Sequence, residues 1–141
     1  MKNRFLIANC FFGLLLGFVF YFLSDNNLYI TNWIYSFLGL NKTFISTDII
    51  PLHIIRIYGL DFIWAYSMWF GIVLVSYGLN YKIVVASIIT ILCGIVLEIF
   101  QGIQLVSGTG DILDVVAELI GVLVAIIVFL FRSRKDVNYN E

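Results

Sequence analysis

Charge is scarce in this chain. Asp, Glu, Lys and Arg make up 12% of its residues, against about 25% in an average globular protein, and an ordinary soluble surface cannot be built from so few. Histidine occurs once, at His53, and proline once, at Pro51. The two cysteines, Cys10 and Cys93, lack CxxC spacing and lie inside apolar runs, so they read as small membrane-buried residues. One histidine and two misplaced thiols exclude a zinc site. Asn9 precedes Cys10 and an apolar stretch follows it, which makes it a poor lipoprotein site. The few basic residues cluster towards the chain ends and give no electrostatic footprint for DNA or RNA. There is no phosphate loop, no HExxH and no Ser-His-Asp order.

What is present is apolar. Hydrophobic residues make up 62% of the 141 positions and mean hydropathy is +1.02. One membrane-embedded domain over 1–141 is the expectation. Four runs, at 5–23, 60–79, 83–100 and 112–131, approach the roughly 20 residues that a bilayer core requires. The runs are continuous rather than alternating, so they predict helices and not a barrel. Lys2 and Arg4 precede the first run as in a signal peptide, but no A-x-A-like site follows, and an uncleaved first span is expected. With four spans both termini share a side. That side holds Lys2, Arg4, Lys82, Arg132, Arg134 and Lys135, and the other holds Lys42 and Arg56. The positive-inside rule then puts both termini in the cytoplasm.

The 24–59 connection is too long to be idle. Over 30–38 its apolar residues recur at helical spacing, which predicts a short amphipathic helix in the outer interface, anchored by Trp33. A second short element is expected from Ser46-Thr-Asp48 past Pro51, His53 and Arg56 to a bend at Gly59. The tail after Arg132 is polar and reads as frayed. Gly13-Leu-Leu-Leu-Gly17 is a GxxxG pair suited to close helix packing, within the chain or between copies. Asn41-Lys-Thr43 is a glycosylation sequon of meaning only in a glycosylating host.

The acids carry the lead to function. Asp61, Glu98, Asp111, Asp114 and Glu118 lie in or beside apolar spans, where a carboxylate costs kilocalories. At about 1.5 Å per residue, Glu98 lies roughly 24 Å from Lys82, and Glu118 about 10 Å inward from Asp111. Asp61 opens the second span at that same level. Glu98 and Gln101 share a helix face, as do Asp61 and Trp64, and as do Asp111, Asp114 and Glu118. An outward-opening polar pocket in a four-helix bundle follows, with His53 and Arg56 as the nearby cations. Arg56 is expected to pair with Asp61 or Asp114. Asp111, Asp114 and Asp61 also suit helix starts, where acids cap free N–H groups. Glu98 and Glu118 have no such role, although an interhelical hydrogen bond would also account for them. One arginine cannot neutralise five carboxylates. Some are protonated, or wet, or a cation binds; a hard divalent ion would suit oxygen-only ligands.

The stretch Glu98-Ile-Phe-Gln101, followed by Gly108-Thr109-Gly110-Asp111-Ile-Leu-Asp114-Val-Val-Ala-Glu118-Leu-Ile-Gly121, resembles the signature of VanZ-like membrane proteins. There a Glu-x-x-Gln ends the third helix and a Gly-Thr/Arg loop leads to Asp-x-x-Asp at the fourth. Tyr58-Gly-Leu-Asp61-Phe-Ile-Trp64-Ala-Tyr66-Ser67 resembles the Asp-x-x-Trp-Ala-Tyr-Ser element of some members. The likeness covers about residues 56–125. The family usually carries Asn where Glu118 stands and often Gly where Ala125 stands. The resemblance implies a multi-pass protein of the bacterial cytoplasmic membrane, in a family named for resistance to the glycopeptide teicoplanin and without a settled chemical activity.

Two functions of different class follow. In one, a non-enzymatic envelope protein binds a lipid-linked precursor or a cationic molecule at the outer leaflet, through Arg56, Asp61, Trp64, Glu98, Gln101, Thr109, Asp111, Asp114 and Glu118. In the other, an intramembrane hydrolase or transferase acts on a lipid-linked glycan or phosphate through its carboxylates. The lack of a compelling nucleophile ranks the second lower. A carboxylate-driven ion transporter ranks third, because no relay crosses the middle.

Overall fold

The computed structural model describes residues 3–23, 33, 36–39, 50–76, 78–106 and 110–138, without the side chains at 20–23, 50–57 and 134–138. The described chain is all-α. Its long helices are α1 (Asn3–Leu23), α2 (Ile50–Val75), α3 (Lys82–Gly102) and α4 (Ile112–Asn138). Three segments, Tyr58–Val75, Lys82–Gly102 and Ile112–Ser133, are long and apolar enough to cross a membrane. The apolar part of α1 described, Asn3–Val19, is shorter. This is the arrangement of a multi-pass helical membrane protein.

Two boundaries differ from the sequence-based expectation. Helix α2 begins at Ile50 and runs through Gly59 without a break. Proline is pre-organised for the first turn of a helix, which suits Pro51, and one internal glycine costs only about 1 kcal/mol, less than the packing along α2 supplies. Helix α4 continues past Arg132 to Asn138 instead of fraying. Arg134 and Lys135 near its end suit the negative pole of the helix dipole. In the first long connection, Trp33 and residues 36–38 are helical. Trp33 and Phe37, one turn apart, stack with ring centroids 5.4 Å apart, and both are exposed.

Helix α2 is the central strut. It packs against α1, α3 and α4, and α3 packs against α4. Lipid provides no hydrophobic force between helices, so association depends on close approach and on hydrogen bonds between spans. The small residues sit accordingly. A Cβ at Gly13 would collide with the Ser67 side chain on α2. One at Gly121 would collide with the Phe62 carbonyl oxygen and lie 3.3 Å from Ala65 Cβ. The GxxxG pair therefore faces α2, within the chain. The Tyr66 hydroxyl donates to Asn9 Oδ1 (2.6 Å), tying α1 to α2. The Trp69 indole N–H donates to Ser87 Oγ (3.0 Å), tying α2 to α3. Asn9 against Tyr66 and Gly17 against Ile63 make α1 and α2 antiparallel. Gly121 against Phe62 and Phe129 against Trp69 make α2 and α4 parallel.

The buried core sits in one half of this assembly. Trp69 is wrapped edge-to-face by Phe70 and Phe129, at 5.2 and 5.6 Å between centroids, with Leu6, Val73, Ala86 and Val122 around it. The other half, towards Asp61, Glu98 and the start of α4, is not filled in this way.

Candidate functional site

The site is built at the α3–α4 corner. Helix α3 ends in a Schellman turn: Gln104 N–H donates to Gln101 O (3.0 Å) and Leu105 N–H to Phe100 O (2.9 Å). Gln104 occupies the left-handed position at φ 59°, where glycine is usual. The chain then returns against α3. A Cβ at Gly110 would stand 2.9 Å from the Glu98 carbonyl oxygen and from the Gly102 backbone, so only glycine passes there. That close approach lets Asp111 N–H donate to Glu98 Oε2 (2.8 Å). Asp111 in turn caps α4, its Oδ1 accepting from Leu113 N–H (3.0 Å).

Seven residues along α4, Glu118 enters the interior. It is 4% exposed, although it belongs to a membrane-spanning segment. Its carboxylate lies over Gly94 of α3, where a Cβ would overlap it. Gly94 is thus a notch in α3 shaped for this side chain. Glu118 Oε2 is buried with no hydrogen-bond partner among the described residues. Among the described residues the charges that face it, on Asp61, Glu98 and Asp114, carry its own sign.

A cavity of about 420 Å³ opens beside this group. Its polar wall is Asp61, Glu98, Gln101 and Glu118, with Trp64 and Ser67 of α2. Its apolar wall is Leu14 and Phe18 of α1, Leu60 and Ile63 of α2, and Leu97 of α3, with Gly13 and Gly17 on the α1 side. Of the residues expected from sequence, Asp61, Trp64, Glu98, Gln101 and Glu118 therefore meet in one space. Asp111 and Asp114 do not line it. Asp111 serves as a cap, and Asp114 lies half-buried nearby, its charge facing those of Asp61 and Glu98. Thr109, Lys42 and the side chains of His53 and Arg56 lie outside the described residues. Among the described residues no group of three or more His, Cys, Asp or Glu is disposed to hold a metal ion.

Sequence reasoning read Gly13 and Gly17 only as a packing pair, and it missed Ser67 and the Gly94 notch as parts of the site. One signal pointed to the notch: Ala86, Thr90, Gly94 and Glu98 follow each other at i, i+4 on α3, so the small and polar stripe was readable. Its partner on α4 was not. Comparison with protein-family models, curated proteins and solved structures finds no match to this chain.

Proposed function

We propose that this is a VanZ-like, four-span envelope protein of the bacterial cytoplasmic membrane, which binds the head of a cationic or lipid-linked ligand at the level of the outer leaflet. Glu118 is the observation that carries the reading: a buried carboxylate oxygen with no donor, on the wall of a cavity it shares with two more acids. A buried polar atom left without a partner costs about 1–3 kcal/mol, more where the group is charged. A cation or a rich hydrogen-bond donor entering the cavity would offset that cost. Trp64 adds an aromatic wall of the kind that receives alkylammonium groups. Both termini are assigned to the cytoplasm on the six-to-two division of Lys and Arg. The exposed, stacked Trp33 and Phe37 suit an interfacial segment on the opposite side. The family assignment rests on the Glu-x-x-Gln and Asp-x-x-Asp spacing alone, and with it the link to glycopeptide resistance.

Binding is favoured over hydrolysis by the state of Ser67. Among the described residues it is the one hydroxyl on the cavity wall, and it already donates to the Ile63 carbonyl (2.7 Å). Native mass spectrometry of gently purified protein, with and without chelator, tests the proposal. Wild type is expected to retain a cationic or lipid-linked species that Glu118→Gln loses. An identical set of retained molecules in the two proteins would overturn it.

A further inference from the structure

The shape of the cavity says more about the ligand than its charge does. Helices α1 and α3 each pack on α2, and no extensive packing joins them to each other among the described residues. The cavity lies between them with α2 as its floor: α1 supplies Leu14 and Phe18, and α3 supplies Leu97. Leu14 and Phe18 of the apolar helix α1 are 53% and 56% exposed, so in a bilayer the cavity's side wall would border acyl chains. Along α2 the lining runs from Leu60 to Ser67, about 10 Å of depth. The carboxylates of Asp61 and Glu98 stand at the shallow end, with the aliphatic wall running inward from them.

We infer that the cavity admits an alkyl-chain amphiphile with a cationic head, entering sideways from the bilayer between α1 and α3. The head is held by Asp61, Glu98 and Glu118, and the first part of the chain lies along Leu14, Ile63 and Leu97. The inference rests on the reading above and specifies its ligand and route. Charge complementarity selects the head, because among the described residues the charges facing Glu118 are those of Asp61, Glu98 and Asp114, and its own Oε2 has no donor there. The apolar wall selects the chain. Gly17 marks the place where the chain passes. A Cβ there meets only Ile63 Cγ2, at 3.5 Å, so the helix contact does not demand glycine and the missing side chain leaves room in the cavity.

The test uses two photoactivatable dodecyltrimethylammonium probes on full-length protein in nanodiscs. One carries its diazirine beside the ammonium head and the other at mid-chain, and labelled peptides are sequenced. The head-proximal probe is expected to label the Asp61–Trp64 and Glu98–Gln101 segments, and Glu118→Gln to lose that labelling. The mid-chain probe is expected to label Leu14 and Leu97. Gly17→Leu and Leu97→Phe fill the apolar wall from opposite sides, and each is expected to lose mid-chain labelling at the other wall, with monodispersity confirming the fold. Head labelling accompanied by mid-chain labels spread over the outer face of α3, at Ile88, Leu92 and Ile95, would sink the lateral-entry inference and leave the binding reading intact. Absence of specific head labelling in wild type would overturn both.

Discussion

The two halves of the bundle treat their polar groups in opposite ways. Around Trp69 almost every buried donor has an acceptor. The indole bonds to Ser87, Ser87 and Ser76 back-bond to carbonyls one turn earlier, and Tyr66 bonds to Asn9, whose amide donates to Phe5 O. Thr90 is the exception, its hydroxyl buried without a partner on the α3 seam one turn from Gly94. Around Glu118 the rule is reversed: an unpartnered oxygen, three acids of like sign, and a cavity in place of packed side chains. Lipid punishes the second arrangement, so its presence separates the part of the molecule that holds the fold from the part for which ligand binding is proposed.

The largest expected effect is in the packed half. Trp69 is fully buried and meets Phe70 and Phe129 edge-to-face. Trp69→Ala should cost about 3–5 kcal/mol, the usual range for deleting a core aromatic. Unfolding in a denaturing-detergent titration measures it. A loss below about 1 kcal/mol, the scale of a single hydrogen bond, would mean that the aromatic cluster is not the seat of stability. Ligand retention in whatever fraction stays folded should be unchanged, and its loss would erase the division between the halves.

The cavity half should respond the other way. Glu118→Gln keeps the shape and removes the like-charge repulsion from Asp61, Glu98 and Asp114, so stability should rise by about 1 kcal/mol. Binding should fall at the same time, the trade expected where a site is held at the expense of the fold. The same detergent titration run beside native mass spectrometry reads both. A destabilised Glu118→Gln protein would mean that the carboxylate is a structural link.

How far the sequence announced this division differs between the halves. Continuous apolar runs made the spans legible, because lipid demands internal backbone pairing over a fixed length. Acids on shared helix faces made the convergence of Asp61, Glu98 and Glu118 legible as an expectation, and residue type made the Asp111 cap legible. The start of α2 at Ile50 was not, because a glycine reads as a bend until packing outweighs its roughly 1 kcal/mol cost. Nor was the role of Gly94, since its place in the small and polar stripe of α3 does not say which side chain across from it fills the notch. The expected Arg56 pairing lies outside the described side chains.

Gly94 gives the cleanest way to move the site without the fold. The three atoms nearest a Cβ there all belong to the Glu118 carboxylate, the far end of a flexible side chain that can swing away. Replacing an interior glycine also gains about 0.5–1 kcal/mol in helix preference. Gly94→Ala should therefore leave stability within about 1 kcal/mol of wild type and still lose the ligand as Glu118→Gln does. Retained binding would show that the notch does not position the carboxylate.

The smallest effect sharpens the comparison from the packed side. Tyr66→Phe keeps the ring, with its tilted contact to Phe70 at 5.0 Å, and deletes only the hydroxyl that donates to Asn9. Hydrogen bonds between membrane helices average about 0.6 kcal/mol, because the separated helices find other partners in the membrane. A destabilisation of about that size is expected, resolved against wild type in paired detergent titrations. Asn9 keeps its donation to the Phe5 carbonyl in the variant, so its amide is not stranded. Tyr66 lies outside the carboxylate cavity, and head-proximal labelling by the ammonium probe should be unaffected. If the variant instead lost labelling with no change in stability, α1 would be held in place by the site and not by the packed half, and the division between them would have to be redrawn.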